Sequence, residues 1–305
     1  MPISAALLAA AGRLDRHPAP SPPTLAGVQP LDARIPGPAL MGIVNVTPDS
    51  FSDGGLHRDP AVAVAHGLRL AAEGAAIVDV GGESTRPGSE GVDAAEELDR
   101  VVAVVRGIRA ASDVPISIDT SKAVVAEAAL AAGATMVNDV TAGRADPRIL
   151  DVARDAGADL CLMHMLGEPR TMQDDPRYDD VVREVGAFLR ERVEAAVARG
   201  IDPARVCVDP GIGFGKTVDH NLALIAAGDE LARTAGCPLV VGLSRKRFLG
   251  ALIGDPERDR TTASVVAGVA ALGRGAWMLR VHDVQPHMDA LRVLQAVAGS
   301  GTMPA

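Results

Sequence analysis

Aromatic side chains are scarce in this sequence. Phe, Tyr and Trp together account for 2% of its 305 residues, whereas hydrophobic residues make up 48%. A chain of this length buries roughly three quarters of the surface that it exposes when unfolded. Its core must therefore consist of aliphatic side chains, and each aromatic residue in a loop needs a separate explanation.

Cysteine is also rare, and its residues are irregularly spaced. The three residues, Cys161, Cys207 and Cys237, are odd in number and lie in apolar runs. This pattern is typical of buried free thiols in a cytoplasmic protein. His and Cys residues do not recur at the spacing of a zinc site. The sequence thus predicts a cytoplasmic protein without disulfides or structural zinc.

Basic runs and long apolar runs are both missing. The formal net charge is −9, which argues against nucleic-acid binding because that binding requires neutralisation of phosphates. No stretch approaches the roughly 18 uncharged apolar residues of a membrane span. In residues 1–16 the basic residues follow the apolar stretch, unlike the order in a signal peptide. We therefore expect small-molecule substrates, and neither nucleic acid nor membrane as a partner.

Proline is concentrated at the beginning of the chain. Residues 1–38 contain 8 of the 21 prolines, and the HPAPSPP stretch is short of the backbone N–H donors that a helix or strand needs. We predict a proline-rich N-terminal arm over residues 1–38, extended except for a short helix near residues 5–13. One catalytic domain over residues 39–300 follows it.

Eight short apolar runs alternate with helical patterns after residue 38. Because the runs are apolar throughout, they predict buried parallel strands. Eight β/α units favour an α/β fold with a closed (β/α)8 TIM barrel, and a doubly wound open sheet is the alternative. The runs span residues 39–45, 75–81, 115–119, 135–139, 160–164, 205–209, 238–242 and 277–283.

Polar residues cluster where these runs end. In a barrel the carboxyl ends of all strands lie on one face, where active sites are built. A ring of polar side chains at those positions therefore predicts a site. The residues at or just after the run ends are Asn45, Asp119, Asn138, Asp209, Arg280 and His282, and a few positions further on are Thr85, Arg86, Ser244, Arg245 and Lys246.

Two polar loops follow the first and second runs. The first, NVTPDSFSDGG, carries Asp49 and Phe51, and an aromatic side chain in such a loop suggests a lid over a flat substrate. The alternative is a plain loop of Asx and Ser turns. The second loop, GGESTRPG, contains Arg86, whose guanidinium suits a carboxylate or phosphate, although Arg-Pro-Gly is also an ordinary turn.

Three short polar side chains end the third, fourth and sixth runs. Asp119, Asn138 and Asp209 are costly to bury without partners, and two carboxylates with an amide fit the edge of a nitrogen heterocycle. Taken singly, each also fits a helix N-cap, but that interpretation is weak for all three together. His164, at the end of the fifth run, receives no function.

Two further segments contribute aromatic and cationic groups. DPGIGFGKT resembles a phosphate-binding loop, but Pro210 occupies the first glycine position and has no N–H for a phosphate. We interpret it as a flexible loop that carries Phe214 and Lys216 over the site. The cations in residues 244–247 and 280–282 predict an anion site in an otherwise acidic chain.

Eight motifs in this order resemble the dihydropteroate synthase family. They are MGIVNVTPDSFSDGG, VGGESTRPG, SIDTSK, VND, LMHM, DPGIGFGK, GLSRKRFLG and LRVHDV, between residues 41 and 284. Each is weak alone, but eight in order are highly specific. The resemblance implies a TIM-barrel transferase of folate biosynthesis and a sulfonamide target. Its reaction joins 6-hydroxymethyl-7,8-dihydropterin diphosphate to p-aminobenzoate, giving 7,8-dihydropteroate and diphosphate.

The resemblance also implies roles for individual residues. Asn45 would bind the Mg²⁺ cofactor that accompanies the diphosphate, and the chain would form a homodimer through barrel helices remote from the site. Catalytic roles would fall to Asp49, Phe51, Arg86, Asp209 and Lys246. The pterin diphosphate would contact Thr85, Asp119, Asn138, Asp209, Lys246, Arg280 and His282. The p-aminobenzoate would contact Phe51, Arg86, Pro87, Met163, Phe214, Ser244 and Lys246.

The same likeness favours a dissociative, SN1-like step. Mg²⁺ and the Arg and His donors would stabilise the leaving diphosphate, while Asp209 would let the pterin ring share positive charge. No strong base is needed, because an aniline nitrogen is unprotonated at neutral pH. One alternative is a pterin-dependent methyltransferase, which has no diphosphate to bind at residues 244–246 and 280–282. The other is a catalytically silent pterin-binding paralogue.

Overall fold

The eight predicted strands form a closed barrel. The computed structural model describes residues 28–47, 60–84, 89 and 91–298. Its strands are parallel and pair in chain order, and β1 also pairs with β8. The predicted (β/α)8 barrel is therefore confirmed and the open sheet is excluded. The strands are β1 Ala39–Asn45, β2 Ile77–Gly81, β3 Ile116–Asp119, β4 Met136–Asp139, β5 Asp159–Met163, β6 Val206–Asp209, β7 Leu239–Val241 and β8 Ala276–Val281.

Helices surround the barrel and connect its strands. Two long helices begin at aspartate caps, where Asp93 accepts from the backbone N–H of Glu96 and Asp180 accepts from that of Arg183. No helix among the described residues combines the length and apolar character needed to cross a membrane. The helices are α1 Leu31–Arg34, α2 Pro60–Glu73, α3 Ala94–Ala111, α4 Ala123–Ala131, α5 Arg148–Asp155, α6 Val181–Ala198, α7 Val218–Ala226, α8 Gly228–Ala235, α9 Arg247–Leu252, α10 Thr261–Leu272 and α11 Val284–Ala298.

Two apolar layers hold the barrel together. The layer between strands and helices is aliphatic, as the composition predicts, with side chains such as Val104, Ile108 and Ile118 fully buried. Side chains alternate across the sheet, so every second residue points into the barrel. The lower interior is filled by Met41, Ile77, Met136, Cys161, Cys207, Val240 and Met278. The polar residues of the same strand faces lie above this plug, towards the carboxyl ends.

The described start of the chain packs against the N-terminal end of the barrel. Leu31 of α1 is buried, and the indole N–H of Trp277 donates to the carbonyl of Ile35 at 2.9 Å. The sequence predicts an extended arm here, whereas residues 28–38 include a helical turn held by these contacts. Residues 1–27, including the helix predicted near residues 5–13, lie outside the described residues, and the arm boundary at residue 38 stays a prediction.

Candidate active site

The carboxyl ends of the strands bring most of the predicted polar residues to one end of the barrel. Asp119 at the end of β3 lies opposite Asn138 on β4, and Met163 at the end of β5 lies opposite Asp209 on β6. Asn45, half-buried, ends β1. These residues occupy the inward-facing positions above the apolar plug. The structure therefore brings these side chains together in the upper part of the barrel, and we call this cluster the polar pocket.

An arginine joins two buried carboxylates inside this pocket. Arg280 Nε donates to Asp79 Oδ2 at 2.6 Å, and Arg280 Nη2 donates to Asp119 Oδ2 at 2.6 Å. The amide Nδ2 of Asn138 donates to the same Asp79 oxygen at 3.1 Å. Since both acids are almost inaccessible to water, the guanidinium supplies the charge that their burial requires.

Asp79 is a site residue that the sequence reasoning missed. It lies in the middle of β2 within an apolar run, rather than at a strand end, so its position in the sequence indicates only a strand. A charged residue inside an apolar run is itself a signal, because a buried charge must be paired. Within the described part of the chain, no hydrogen-bond donor reaches its second oxygen, Oδ1.

Burial changes the acidity of the pocket carboxyls. It raises the pKa of Asp119 to about 7, while the charge of Arg280 acts in the opposite direction. It also raises the pKa of Asp209, opposed by a hydrogen bond of 2.7 Å from the backbone N–H of Gly211 and by the charge of Lys246. Asp119 pairs with Arg280 and does not cap α4, whose N-cap position is Lys122.

The loop after β6 is held by side chains from other segments. The sequence predicts a flexible loop here, but the described backbone has several anchors. Gln173 Nε2 donates to the carbonyl of Gly213, and Tyr178 Oη donates to that of Gly215 at 2.9 Å. The N–H of Gly213 donates to Asn221 Oδ1 at 2.7 Å. These contacts fix the backbone on both sides of Phe214.

Phe214 and Lys246 meet at the edge of the pocket. The ammonium of Lys246 lies 4.1 Å from the centroid of the Phe214 ring, a cation–π distance. Phe214 is half-buried against a small apolar cluster that includes Met163. Burial lowers the pKa of Lys246 to about 8, while the charge of Asp209 opposes this effect. The result is an apolar wall with a cation at its edge, beside the polar pocket.

The loops after β7 and β8 contact each other through Ser244 and His282. Ser244 Oγ accepts from the backbone N–H of His282 at 3.2 Å and also lies 3.2 Å from its Nδ1. Arg245, by contrast, is exposed and donates through Nε to Asp283 at 2.9 Å. Its backbone φ of 59° is the left-handed conformation. This cation of the predicted anion site is therefore paired with an acid at the surface.

Several predicted site residues cannot be placed. Asp49 and Phe51 of the first loop lie outside the described residues, as do Thr85, Arg86 and Pro87 of the second. Their roles remain predictions from the motifs. Among the residues that are described, no group of three or more His, Cys, Asp and Glu side chains is arranged to hold a metal ion.

Comparisons with known proteins point to one family. A family model described as "Pterin binding enzyme" matches residues 41–282. The dihydropteroate synthase of Mycobacterium leprae is 49% identical over 270 residues, which cover 86% of this chain and 94% of that protein. The structure of Xanthomonas albilineans dihydropteroate synthase with 4-aminobenzoic acid has a TM-score of 0.80 and 52% identity, covering 87% of this chain and 94% of that one. The Yersinia pestis dihydropteroate synthase with a sulfonamide drug has a TM-score of 0.81 and 43% identity, covering 86% and 95%.

Proposed function

This chain belongs to the dihydropteroate synthase family of pterin-binding enzymes, and on that premise we propose how its residues carry out the family's reaction. The reaction joins 6-hydroxymethyl-7,8-dihydropterin diphosphate to p-aminobenzoate and releases diphosphate. The observation that carries the assignment of residues is the position of Lys246 between the two halves of the site. The negative charge of Asp209 in the polar pocket acts to raise the pKa of Lys246. The ammonium of Lys246 also contacts the Phe214 ring of the apolar wall.

The polar pocket fits the pterin ring. Asn138 donates one amide N–H to Asp79, which leaves its carbonyl oxygen to accept from a ring N–H. Asp119 and Asp209 supply carboxyl oxygens for the amino and ring nitrogens of the heterocycle. A buried carboxylate close to the ring favours positive charge on the pterin as the bond to diphosphate breaks, because opposite charges attract more strongly at low dielectric.

The diphosphate would leave towards the loops after β7 and β8. Arg280 uses Nε and Nη2 for Asp79 and Asp119, which leaves Nη1 to donate to a substrate oxygen. His282, two residues after Arg280 in the chain, contacts Ser244 of the loop after β7. Hydrogen-bond donors directed at the leaving oxygens stabilise the charge that develops as the bond breaks.

Mg²⁺ fits this site as a companion of the diphosphate. Asn45 offers one amide oxygen at the end of β1, where it is half-buried. Mg²⁺ typically keeps several waters and takes one or two protein oxygens together with phosphate oxygens, so a single amide oxygen suffices. When bound, the ion would neutralise charge on the leaving diphosphate.

The apolar wall fits the flat ring of p-aminobenzoate. Met163 and Phe214 pack together, and Lys246 lies over the Phe214 ring at 4.1 Å with Ser244 two residues away in the chain. The aryl amine needs no base to attack, because it is unprotonated at neutral pH. The resulting step is SN1-like: the C–O bond to diphosphate breaks, and the amine nitrogen then bonds to the methylene carbon and loses a proton.

Product formation tests this function. The purified chain, supplied with the pterin diphosphate, p-aminobenzoate and Mg²⁺, should form 7,8-dihydropteroate and diphosphate in equal amounts, as measured by mass spectrometry and a diphosphate assay. EDTA should slow the reaction. Tight pterin binding without product would instead indicate the silent paralogue. Methyl transfer to or from a reduced folate would indicate the methyltransferase.

Exposed apolar side chains support a homodimer. Leu222 on α7, Leu252 on α9 and Val266 on α10 are 42%, 50% and 60% exposed, and both α9 and α10 contact α7. Exposed apolar side chains on helices that contact each other are consistent with a site of association, and a second copy of the chain would cover them through a two-fold axis. Sedimentation equilibrium should give twice the chain mass, and Leu222→Asp with Val266→Asp should shift it towards the monomer.

The cysteines support a cytoplasmic location. Cys161, Cys207 and Cys237 are buried free thiols, and Cys161 lies opposite Cys207 in neighbouring strands. Free thiols persist in a reducing compartment. Cell fractionation should recover the protein with cytoplasmic markers.

A further inference from the structure

We propose that Lys216 is a positioning residue that holds Phe214 in place for p-aminobenzoate. The proposal rests on the function proposed above, in which Phe214 forms a wall of the p-aminobenzoate pocket. Lys216 has no role in that function, although it belongs to the same loop and is 4% exposed. A buried lysine is costly unless its ammonium is hydrogen-bonded, so its two contacts need an explanation.

Both contacts of Lys216 involve residues of the proposed p-aminobenzoate wall or their neighbours in the chain. Its Nζ donates to the backbone carbonyl of Phe214 at 2.9 Å and lies 3.0 Å from His164 Nδ1. The lysine thus joins the loop after β6 to the residue that follows β5. Phe214 is held through its backbone, which leaves its ring free to contact Lys246.

His164 is a rigid anchor for this lysine. Its ring packs edge-on against Phe188, with 4.8 Å between the ring centroids, and its backbone N–H donates to the carbonyl of Asp209 at 3.0 Å. The loop approaches it closely at Gly211, where a Cβ would lie 1.8 Å from the His164 carbonyl oxygen. His164 therefore contacts the loop after β6 at two points, through its backbone N–H at Asp209 and through its ring at Lys216.

The donor and the acceptor in the contact between Lys216 and His164 follow from the chemistry of the two groups. An ammonium only donates, so His164 Nδ1 must accept and its ring proton must be on Nε2. Burial lowers the pKa of His164 to about 2, with a further contribution from Lys216, so the ring is neutral. Burial lowers the pKa of Lys216 to about 7, opposed by Asp209. Even the neutral amine keeps two N–H groups, which is enough for both contacts.

Removal of the Lys216 ammonium should weaken the binding of p-aminobenzoate but not that of the pterin diphosphate. Without it, the Phe214 carbonyl and His164 Nδ1 lose their shared donor, and the ring is free to shift from its position against Met163 and Lys246. Loss of one hydrogen bond to a buried group corresponds to about tenfold in affinity. Of the acids that would bind the pterin, Asp119 is held by Arg280 and Asp209 by the backbone N–H of Gly211, and among the described contacts neither is hydrogen-bonded to Lys216.

Steady-state kinetics of the full chain test the proposal, with each substrate varied in turn. Lys216→Met should raise KM for p-aminobenzoate by about tenfold and change kcat and KM for the pterin diphosphate by less than about threefold. Lys216→Gln, whose amide still donates to a carbonyl, should give a smaller increase. Arg205→Met is the matched control, because it removes a cation that pairs with Asp159 at the opposite end of the barrel and should leave both KM values unchanged.

A double-mutant cycle separates positioning from general stability. If Lys216 acts through Phe214, then Lys216→Met should have little further effect on KM for p-aminobenzoate in a Phe214→Ala background. An equal effect in both backgrounds, an unchanged KM, or an effect on the pterin diphosphate alone would overturn the proposal. Failure of both Lys216 variants to fold would assign the lysine to stability and would overturn it too. Absence of turnover in the wild-type chain would instead refute the proposed function, and this inference with it.

Discussion

Replacement of Arg280 should destabilise the protein more at alkaline than at acidic pH. Its guanidinium lies 2.6 Å from Asp79 and 2.6 Å from Asp119. Arg280→Met keeps an unbranched side chain but leaves both carboxylates without this cation. Because the two acids are 0% and 8% exposed, water does not solvate the carboxylates that lose their cation.

The size of the effect follows from the burial of these acids. Breaking a buried ion pair by removing one partner costs about 3–5 kcal/mol. With an unfolding entropy of about 2.1 cal/mol/K per residue, that loss lowers Tm by roughly 5–8 °C in a chain of this length.

The pH dependence follows from Asp119. Its pKa is raised to about 7 in the folded state, so the folded chain binds this proton more tightly than the unfolded chain. The stability that the proton contributes is present at low pH and is lost as pH rises through about 7. Without Arg280 the carboxylate loses its opposing charge, and the loss of Tm should be larger at about pH 8.5 than at about pH 5.5.

Differential scanning calorimetry at these two pH values measures the effect. Arg245→Met is the control, because Arg245 also pairs with an aspartate, Asp283, but its side chain is 51% exposed. Exposed pairs contribute about 1 kcal/mol or less, so its Tm should change by less than about 2 °C. An Arg280→Met variant with the Tm of the wild type at the higher pH would refute the reasoning.

Two other predictions concern the proposed reaction. Since Lys246 has a pKa lowered to about 8, it loses its charge as pH rises through that value. The kcat/KM for the pterin diphosphate should therefore fall above about pH 8, and Lys246→Arg should move this fall to higher pH in a pH–rate profile. Asn45→Ala should raise the Mg²⁺ concentration required for half-maximal turnover by about tenfold without a change in Tm; an unchanged Mg²⁺ titration would exclude Asn45 as a ligand.

Much of the fold could be predicted from the sequence because its signals are local. The run at 39–45 coincides with β1, and the predicted run at 205–209 differs from β6 by one residue. Apolar runs of this kind identify strands directly, and their number favours closure of the barrel. The same reasoning places polar run-end residues on one face, as the Asp119–Asn138 pairing shows.

The contacts within the site could not be predicted, because they join residues far apart in the chain. Arg280 and Asp79 are separated by 201 positions, and no local pattern relates them. Lys216 and His164 likewise meet only after β5 and β6 align. The pairing of Arg245 with Asp283 has the same origin, and it removes one cation from the predicted anion site. Sequence patterns predict which polar residues lie on the site's face of the barrel. Which of them form hydrogen bonds and ion pairs with each other depends on how the closed barrel aligns its strands.

Product formation by wild type and Lys246→Ala, compared at saturating substrates, is the most direct test of the assigned site. Lys246 contacts Phe214 of the apolar wall, and the charge of the pocket acid Asp209 affects its pKa. We expect the wild-type chain to form 7,8-dihydropteroate, and Lys246→Ala to keep its circular dichroism spectrum but lose about 100-fold or more in kcat. A Lys246→Ala variant as active as the wild type would contradict the assignment.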